Sequence, residues 1–234
     1  AEGFGLGSFG AVDLAVLGLT TVPATPEESD RLCSLVAQLT GASEVWLMDD
    51  TVTGHIGALS GGDGVSLIVG TGVACFAMAR DRSAVWAVDG KGFLLGDDGG
   101  GFWIGRRGIA AVLRQADGRG PETALTRAAQ SRFGGLAELH VRLHSTERSV
   151  NAIAQFAPEV LDAAEGSDAV ASAIIDDAAE ELAITVRAAC ARVASADAPI
   201  PLAYGGRLLE KHRILARRVS ALVESGTFPV DARR

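Results

Sequence analysis

A short glycine-rich turn has the residue types needed to bind an anion. Residues 67–72 read LIVGTG, so a hydrophobic run ends in Gly70, Thr71 and Gly72. Glycine lets a ligand approach the main chain, and N–H groups at a tight turn with a hydroxyl beside them can cradle a phosphate. The same tripeptide is also common in structural hairpins, because glycine is the usual turn residue. The turn by itself leaves both interpretations open.

Two adjacent carboxylates, Asp49 and Asp50, follow a hydrophobic run at residues 45–48. Proteins of the α/β class bind ligands at the carboxyl ends of their strands, which is where these side chains would lie. A carboxylate there could accept the proton of a substrate hydroxyl as it attacks a phosphoryl group. Asp is also favoured at the start of a helix. We therefore expect one of the two to be a helix cap and the other to be available as a general base.

The densest group of glycines and carboxylates lies at residues 89–107, DGKGFLLGDDGGGFWIGRR, with seven glycines and three aspartates. Long ordered loops are usually functional, which favours a ligand-facing role over a structural one. Asp97 or Asp98 could hydrogen-bond sugar hydroxyls. The amides of residues 99–101 stand at the start of a predicted helix and could meet negative charge.

A second glycine pair, Gly205 and Gly206, follows Tyr204 at a predicted strand-to-helix turn. Two glycines there would let a flat ring lie against the backbone. They would serve equally well to allow a tight turn with no ligand.

Hydrophobic periodicity predicts an α/β arrangement that would position these motifs. Strands and helices alternate up to a glycine-rich break at residues 60–64, the predicted lobe boundary. Three strands joined by antiparallel hairpins follow, then a helical block, then a strand, the glycine pair and a basic helix. The predicted strands cover residues 13–20, 45–48, 65–69, 74–79, 84–88 and 202–204, and the predicted helices cover 27–39, 51–59, most of 104–193 (the longest at 168–193) and 207–223.

Composition and charge argue against several classes of function. The chain has 234 residues, a net charge of −8 and no block of Lys or Arg, which argues against nucleic-acid binding. Cys33, Cys75 and Cys190 are isolated, so the sequence predicts neither disulfides nor a metal site built from protein ligands. No signal peptide opens the chain and no apolar run reaches the ~18 residues of a membrane span. We expect a soluble, cytoplasmic protein.

In order and spacing, these motifs resemble those of the N-acetylglucosamine kinases and their relatives in the sugar kinase/Hsp70/actin superfamily. The resemblance runs over essentially the whole chain. The motifs that carry it are Asp49-Asp50 after a strand, Gly70-Thr71-Gly72, the GDDGG of residues 96–100 before the FWIGR of residues 102–106, and Gly205-Gly206.

The resemblance implies a two-lobed, actin-like ATPase fold of the ribonuclease H type, with ATP and Mg²⁺ as cofactors and a small-molecule sugar as substrate. It also implies a homodimer. By matching positions, it assigns Asp50 as catalytic base, Gly70, Thr71, Gly72, Gly205 and Gly206 to ATP, and Asp50, Gly90, Lys91 and Asp97 to the sugar.

The sequence departs from the family pattern at several places. Val73 replaces the serine of the phosphate motif, and Ala74 replaces a polar residue that touches the sugar. Lys91 stands where N-acetylglucosamine kinases have a tryptophan near the acetamido group. The first phosphate motif, an Asp-Gly-Gly-Thr turn, is absent from the sequence. We therefore expect a truncated first lobe at residues 1–61 and a helix-rich second lobe at residues 62–234.

These features predict an ATP-dependent kinase that phosphorylates a hydroxyl of an amino sugar, of the N-acetylglucosamine or glucosamine class. One alternative is an activator ATPase of the 2-hydroxyacyl-CoA dehydratase type, a relative that bridges an iron–sulfur cluster with cysteines. Another is a sugar-binding regulator that keeps the fold without turnover. Val73, Ala74 and Lys91 further predict weak discrimination between acetylated and free amino sugars, or a preference away from N-acetylglucosamine.

Overall fold

The computed structural model describes residues 12–195 and 198–233. Within them the chain forms ten helices and seven strands, and it divides into two compact units, one up to Gly57 and one from Ala58. The predicted lobe boundary at residue 61 remains a prediction. No helix in the described part of the chain is both long enough and apolar enough to cross a membrane.

The first unit contains a βαβ element followed by a helix. Strand β1 (Leu14–Leu19) pairs in parallel with β2 (Glu44–Asp49), and α1 (Pro26–Thr40) connects them. The N-terminus of α1 is capped by the Thr25 hydroxyl, which accepts the N–H of Glu28 at 3.2 Å, and Gly41 ends the helix in the left-handed conformation. Helix α2 (Asp50–Ala58) begins directly after β2.

The second unit is built on a five-stranded mixed sheet in the order β5-β4-β3-β6-β7 among the described residues. The hairpins are antiparallel, as predicted, whereas β3 pairs in parallel with β6, and β6 with β7. The sequence did not predict β7, because its four residues show no clear hydrophobic alternation. The strands are β3 (Gly64–Val69), β4 (Val73–Met78), β5 (Val85–Val88), β6 (Ile200–Gly205) and β7 (Val230–Arg233).

The helical block contains the hydrophobic core, with the long helix α8 packed on β3, β4 and β5. Many buried positions on α8 are alanine, and small side chains let the helix approach the sheet closely. The helices are α3 (Gly101–Ala116), α4 (Leu125–Phe133), α5 (Leu139–Ser145), α6 (Ser149–Ala154), α7 (Ala157–Glu165) and α8 (Ala169–Val193).

The predicted single basic helix at residues 207–223 is wrong, because the segment forms two helices, α9 (Arg207–Lys211) and α10 (Arg213–Glu224). His212 between them has an extended backbone (φ −113°, ψ 94°). Its Nδ1 lies 3.5 Å from Asp162 Oδ1 on α7, so a tertiary contact holds the chain at the break.

Asp168 joins two elements of the second unit through its carboxylate. Oδ1 accepts the N–H of Ala171 (2.8 Å) in the first turn of α8 and the hydroxyl of Thr123 (3.0 Å), while Oδ2 accepts the N–H of Ala124 (2.7 Å). Partial burial acts to raise the pKa of Asp168, but the hydrogen bonds together outweigh it and leave the pKa below its ordinary value. One side chain therefore caps α8 and ties the segment before α4 to it.

We expect Asp168→Ala to lower the free energy of unfolding by about 1–2 kcal/mol at neutral pH, as for other N-cap losses. Because the pKa is lowered in the folded protein, the carboxylate's contribution is complete above its unfolded-state pKa of about 4 and is lost as the pH falls through the folded-state pKa. Urea unfolding at neutral pH and at about pH 3 should show the difference between wild type and variant shrinking in acid. Glu180→Ala, at an exposed position of the same helix, is the control, and an equal loss from both variants would contradict the capping role.

Candidate functional site

The turn at Gly70, Thr71 and Gly72 connects β3 to β4 directly after their last paired residues. It is closed by the N–H of Gly70, which donates to the carbonyl of Gly72 at 3.0 Å. The N-terminus of α3 packs on this turn: the N–H of Gly101 donates to the carbonyl of Gly70 (2.9 Å), and the N–H of Phe102 donates to that of Thr71 (2.8 Å). Two first-turn amides of a helix, which have no partner within the helix, thus find one in the turn.

These two hydrogen bonds also set the direction of the N–H groups of the turn. In a trans peptide the C=O and N–H point in opposite directions. Since the carbonyls of Gly70 and Thr71 point toward α3, the N–H groups of Thr71 and Gly72 point away from it. Successive N–H groups that point the same way form an anion-binding concavity. The predicted phosphate cradle is therefore compatible with the geometry of the turn.

The expectation that the amides of residues 99–101 face an anion is wrong for two of them. The N–H of Gly101 is taken by the turn, and the N–H of Gly100 donates to the carbonyl of Asp97 at 3.0 Å. The start of α3 is used to hold the protein's own main chain, so the N–H groups of Gly100 and Gly101 are not available to a ligand.

The loop between β5 and α3 is folded around Asp89 and Asp97, both of which have a positive φ (60° and 62°). Asp89 Oδ1 accepts the N–H of Asp97 at 3.0 Å. The Asp97 carboxylate packs against Gly72 so closely that a Cβ at position 72 would overlap Oδ2. Burial is the main reason that the pKa of Asp97 is raised, and the charge of Asp89 adds to it, while the N–H groups of Val73 and Gly92 partly oppose the shift. Asp97 therefore links the loop to the turn at Gly70, Thr71 and Gly72 (the phosphate turn, named for its predicted role).

Gly90 and Lys91 belong to the same loop. A Cβ at position 90 would lie 3.4 Å from the carbonyl oxygen of Val73, so Gly90 also approaches the phosphate turn. Lys91 is exposed, and within residues 12–195 and 198–233 it forms no ion pair. The neighbouring Phe93 packs on Phe102, with 4.9 Å between ring centroids.

The second glycine pair brings the β6–α9 turn against the end of β3. Gly206 has φ 94°, and a Cβ there would overlap the carbonyl oxygen of Val69, the residue just before the phosphate turn. The N–H of Gly206 donates to Glu210 Oε1 at 3.1 Å. Gly205 is less constrained, because a Cβ there would meet only Ile68 Cγ1, at 3.8 Å. Packing against Val69 is thus enough to explain a glycine at position 206. The assignment of Gly205 and Gly206 to nucleotide binding remains a prediction.

In the first unit, Asp49 and Asp50 have different roles. Asp49 Oδ1 accepts the N–H of Thr51 at 2.8 Å, which makes Asp49 the residue that caps the start of α2. Asp50 Oδ2 accepts the hydroxyl of Thr20 at 2.8 Å, and the Asp50 side chain is exposed. Thr20 directly follows β1, and sequence analysis did not single it out, although the carboxyl ends of two parallel strands meet at one edge.

A cavity of about 460 Å³ lies beside the phosphate turn, entirely within the second unit. Four of its lining residues are basic and none is acidic among those described. No sequence motif marks this wall, because its residues come from helices far apart in the chain. The lining residues are Gly70, Thr71, Gly101, Arg132, Asn151, Ala154, Gln155, Pro158, Arg207, Leu208, Lys211 and His212.

Arg132 on α4 is held at this cavity by Glu159 on α7. The guanidinium makes two contacts with Glu159 Oε1, one of them from Nε at 2.6 Å. This ion pair connects two helices across the cavity wall and compensates the charge of Arg132.

The side chains that could ligate a metal ion do not gather into a group of three in the described ranges. In the part of the chain that the structure describes, no cluster of three or more His, Cys, Asp or Glu residues could hold a metal ion. Mg²⁺ in kinases is held largely by substrate phosphates and water with one or two carboxylates. The described residues therefore offer no protein cage for the ion.

Two curated relatives are similar over most of the chain. One, named N-acetylmuramic acid/N-acetylglucosamine kinase, from Clostridium acetobutylicum, is 28% identical over 203 residues, which cover 75% of this chain and 63% of that protein. The other, named N-acetyl-D-glucosamine kinase, from Dictyostelium discoideum, is 29% identical over 205 residues, which cover 82% of this chain and 63% of that protein. The chain thus spans about 63% of the length of these relatives.

Two solved structures show the fold. They are of proteins provisionally named as N-acetylglucosamine kinases, from Chromobacterium violaceum (TM-score 0.69, 23% identity, 93% of this chain and 70% of that one) and Porphyromonas gingivalis (TM-score 0.69, 16% identity, 89% and 69%). The predicted α/β fold of the actin-like ATPase class is confirmed. The truncation of the first lobe remains a prediction.

The family profile of the BadF/BadG/BcrA/BcrD ATPases matches residues 34–224, which include the phosphate turn, the loop before α3 and the second glycine pair. The match covers well over half of the chain. This protein therefore belongs to the BadF/BadG/BcrA/BcrD ATPase family.

Proposed function

We propose that this protein transfers the γ-phosphoryl group of ATP to a hydroxyl of an amino sugar, of the N-acetylglucosamine or glucosamine class. The observation that carries the proposal is the basic cavity of about 460 Å³ beside the turn at Gly70, Thr71 and Gly72. A cavity of this size holds a small-molecule cofactor, and its cations and outward N–H groups suit a polyphosphate. The names of both curated relatives support a sugar as the acceptor.

In this proposal Asp50 is the general base. It takes the proton from the acceptor hydroxyl as that oxygen bonds to the γ-phosphorus and the bond from phosphorus to the β–γ bridging oxygen breaks, leaving ADP. The hydroxyl of Thr20 engages Oδ2 of Asp50 and fixes the orientation of the carboxylate. Oδ1 is then the atom that faces the substrate.

The second unit contributes binding. The N–H groups of Thr71 and Gly72 would meet the phosphates, with the second glycine pair, Gly205 and Gly206, at the nucleoside. Asp97 and Gly90 would contact the sugar from the loop that packs on the same turn. Mg²⁺, when bound through the phosphates, would neutralise their charge.

The activator-ATPase alternative requires thiolates that can ligate an iron–sulfur cluster. Cys75 and Cys190 are both buried, and burial raises the pKa of Cys75 to about 12 and that of Cys190 to about 11. Both thiols are therefore protonated and inaccessible at neutral pH. Cys33, the third cysteine, is half-buried, and its thiol donates to the carbonyl of Val45 at 3.8 Å. One partly accessible thiol does not make the set of ligands that a cluster needs, which favours the kinase over the activator.

We also propose a cytoplasmic location, where ATP is available, and a closed two-fold homodimer, the commonest oligomer of soluble proteins. Light scattering at micromolar concentration measures the oligomeric state, and a monomer there would count against the dimer.

Replacing Asp50 by Asn should lower kcat by ~10²-fold or more, because it removes the general base, while the Kd for ATP stays nearly unchanged. A coupled ADP-release assay and equilibrium binding of ATP measure the two quantities. Asp49→Asn is the matched control: an Asn side chain can still cap α2, so its turnover should stay close to that of wild type. Full activity of Asp50→Asn would remove Asp50 from this role.

Lys91 offers a test of acceptor specificity. Its side chain supplies neither an aromatic wall for the methyl of an acetamido group nor a hydrogen-bond acceptor for the N–H of that group. We expect Lys91→Trp to raise kcat/KM for N-acetylglucosamine relative to glucosamine. Lys91→Ala separates loss of the charge from gain of the ring, and should not reproduce the increase. A wild-type preference of a hundredfold for N-acetylglucosamine would show that another group, such as Phe93, already packs the acetyl group.

A further inference from the structure

Two cations of the cavity wall lie one turn apart on α9. Arg207 and Lys211 occupy positions i and i+4, so their side chains lie on the same side of the helix. Both are exposed, and for neither does a carboxylate lie within 4 Å in the described ranges, 12–195 and 198–233. Arg132 across the cavity differs, since Glu159 compensates its charge. The uncompensated positive charge of the cavity is therefore concentrated on α9.

The position of α9 relative to the phosphate turn is fixed by packing. Leu208, between the two cations in sequence, is buried, and a Cβ at Gly101 would lie 3.4 Å from its Cδ1. Gly101 in turn donates its N–H to the carbonyl of Gly70. At the start of α9, Gly206 packs on the backbone of Val69. Two packing contacts therefore place α9 beside the turn, and both of its cations line the cavity there.

The positive charges of Arg207 and Lys211 repel each other, and an anion bound beside both would relieve that repulsion. The chain as a whole has a net charge of −8, so its long-range field does not attract anions. A local pair on a fixed helix, beside N–H groups that point outward, provides that attraction at one place. Its charge and extent suit a ligand with several linked phosphates.

We propose that Arg207 and Lys211 bind the phosphate chain of the nucleotide, and so contribute to nucleotide affinity through charge and not through contacts with the base. This inference rests on the proposed kinase function and assigns residues to it that the family motifs do not include. A nucleoside triphosphate and a free inorganic polyphosphate share the same chemistry, so both are used as probes.

The experiment is calorimetric titration of the protein with ATP and, separately, with inorganic tripolyphosphate, at about 50 mM and about 300 mM NaCl. Arg207→Gln and Lys211→Gln should each weaken both ligands about tenfold at low salt, the usual size of a lost charge-assisted hydrogen bond. The variants should also show a smaller salt dependence than wild type, because fewer charges are left to be screened. Lys211→Arg keeps the charge and should keep most of the affinity.

Arg213→Gln is the matched control, since Arg213 is an exposed cation of the adjacent helix α10 and does not line the cavity. It removes the same charge and should leave both affinities within about twofold of wild type, as expected for a screened surface charge. An equal loss in Arg213→Gln would overturn the inference in favour of a general charge effect.

Two further outcomes would overturn the inference while leaving the kinase intact. One is wild-type affinity for ATP in both Gln variants, and the other is a loss for ATP with unchanged affinity for tripolyphosphate, which would place the cations at the base or ribose. Failure of the wild-type protein to bind either ligand would instead contradict the proposed function itself. Unfolding temperatures of all variants exclude misfolding as the cause of a loss.

Discussion

The hydrogen bonds from Gly101 and Phe102 to the carbonyls of Gly70 and Thr71 are the interaction on which the candidate site depends. They satisfy two amides that α3 leaves unpaired at its start, and they fix the turn between β3 and β4. Because a trans peptide opposes its C=O and N–H, the same bonds direct the N–H groups of the turn away from the helix. The need to pair the first N–H groups of a helix thus produces a surface that could bind an anion.

Other parts of the second unit reach this turn by close main-chain packing. Asp97 approaches Gly72 and Gly206 approaches Val69 at distances that a Cβ would not permit. The density of glycines near the site is therefore explained in part by contacts within the protein. A ligand at this turn would meet loops already tied to one another, which lowers the entropy lost on binding.

Charge is distributed unevenly between this region and the rest of the chain. The net charge is −8, yet the described residues that line the cavity include four basic side chains and no acidic one. Arg132 is compensated by Glu159, whereas Arg207 and Lys211 are not compensated in the part of the chain that the structure describes. Local arrangement, and not overall composition, thus decides which anions this surface could attract.

Apart from β7 and the break between α9 and α10, the sequence by itself determined the alternation of strands and helices, the antiparallel hairpins and the position of the glycine turn. Hydrophobic periodicity and turn residues act over a few neighbours in the chain, so these features can be predicted locally. It also specified the long helix, predicted at residues 168–193 and observed as α8, whereas the capping role of Asp168 came from the structure. It could not separate Asp49 from Asp50, since only the packing of two parallel strands brings Thr20 to one carboxylate.

Only the tertiary structure decided which groups of the site are already paired and which are available. The amides of Gly100 and Gly101 read as an anion site in sequence, but Gly100 donates to the carbonyl of Asp97 in its own loop, and Gly101 donates to that of Gly70, which only folding brings near. The cavity wall joins Arg132 on α4 to Lys211 on α9, residues nearly 80 positions apart. Such contacts depend on which buried surfaces meet when the helices pack on the sheet, and the hydrophobic pattern of each helix records that it is buried but not against what.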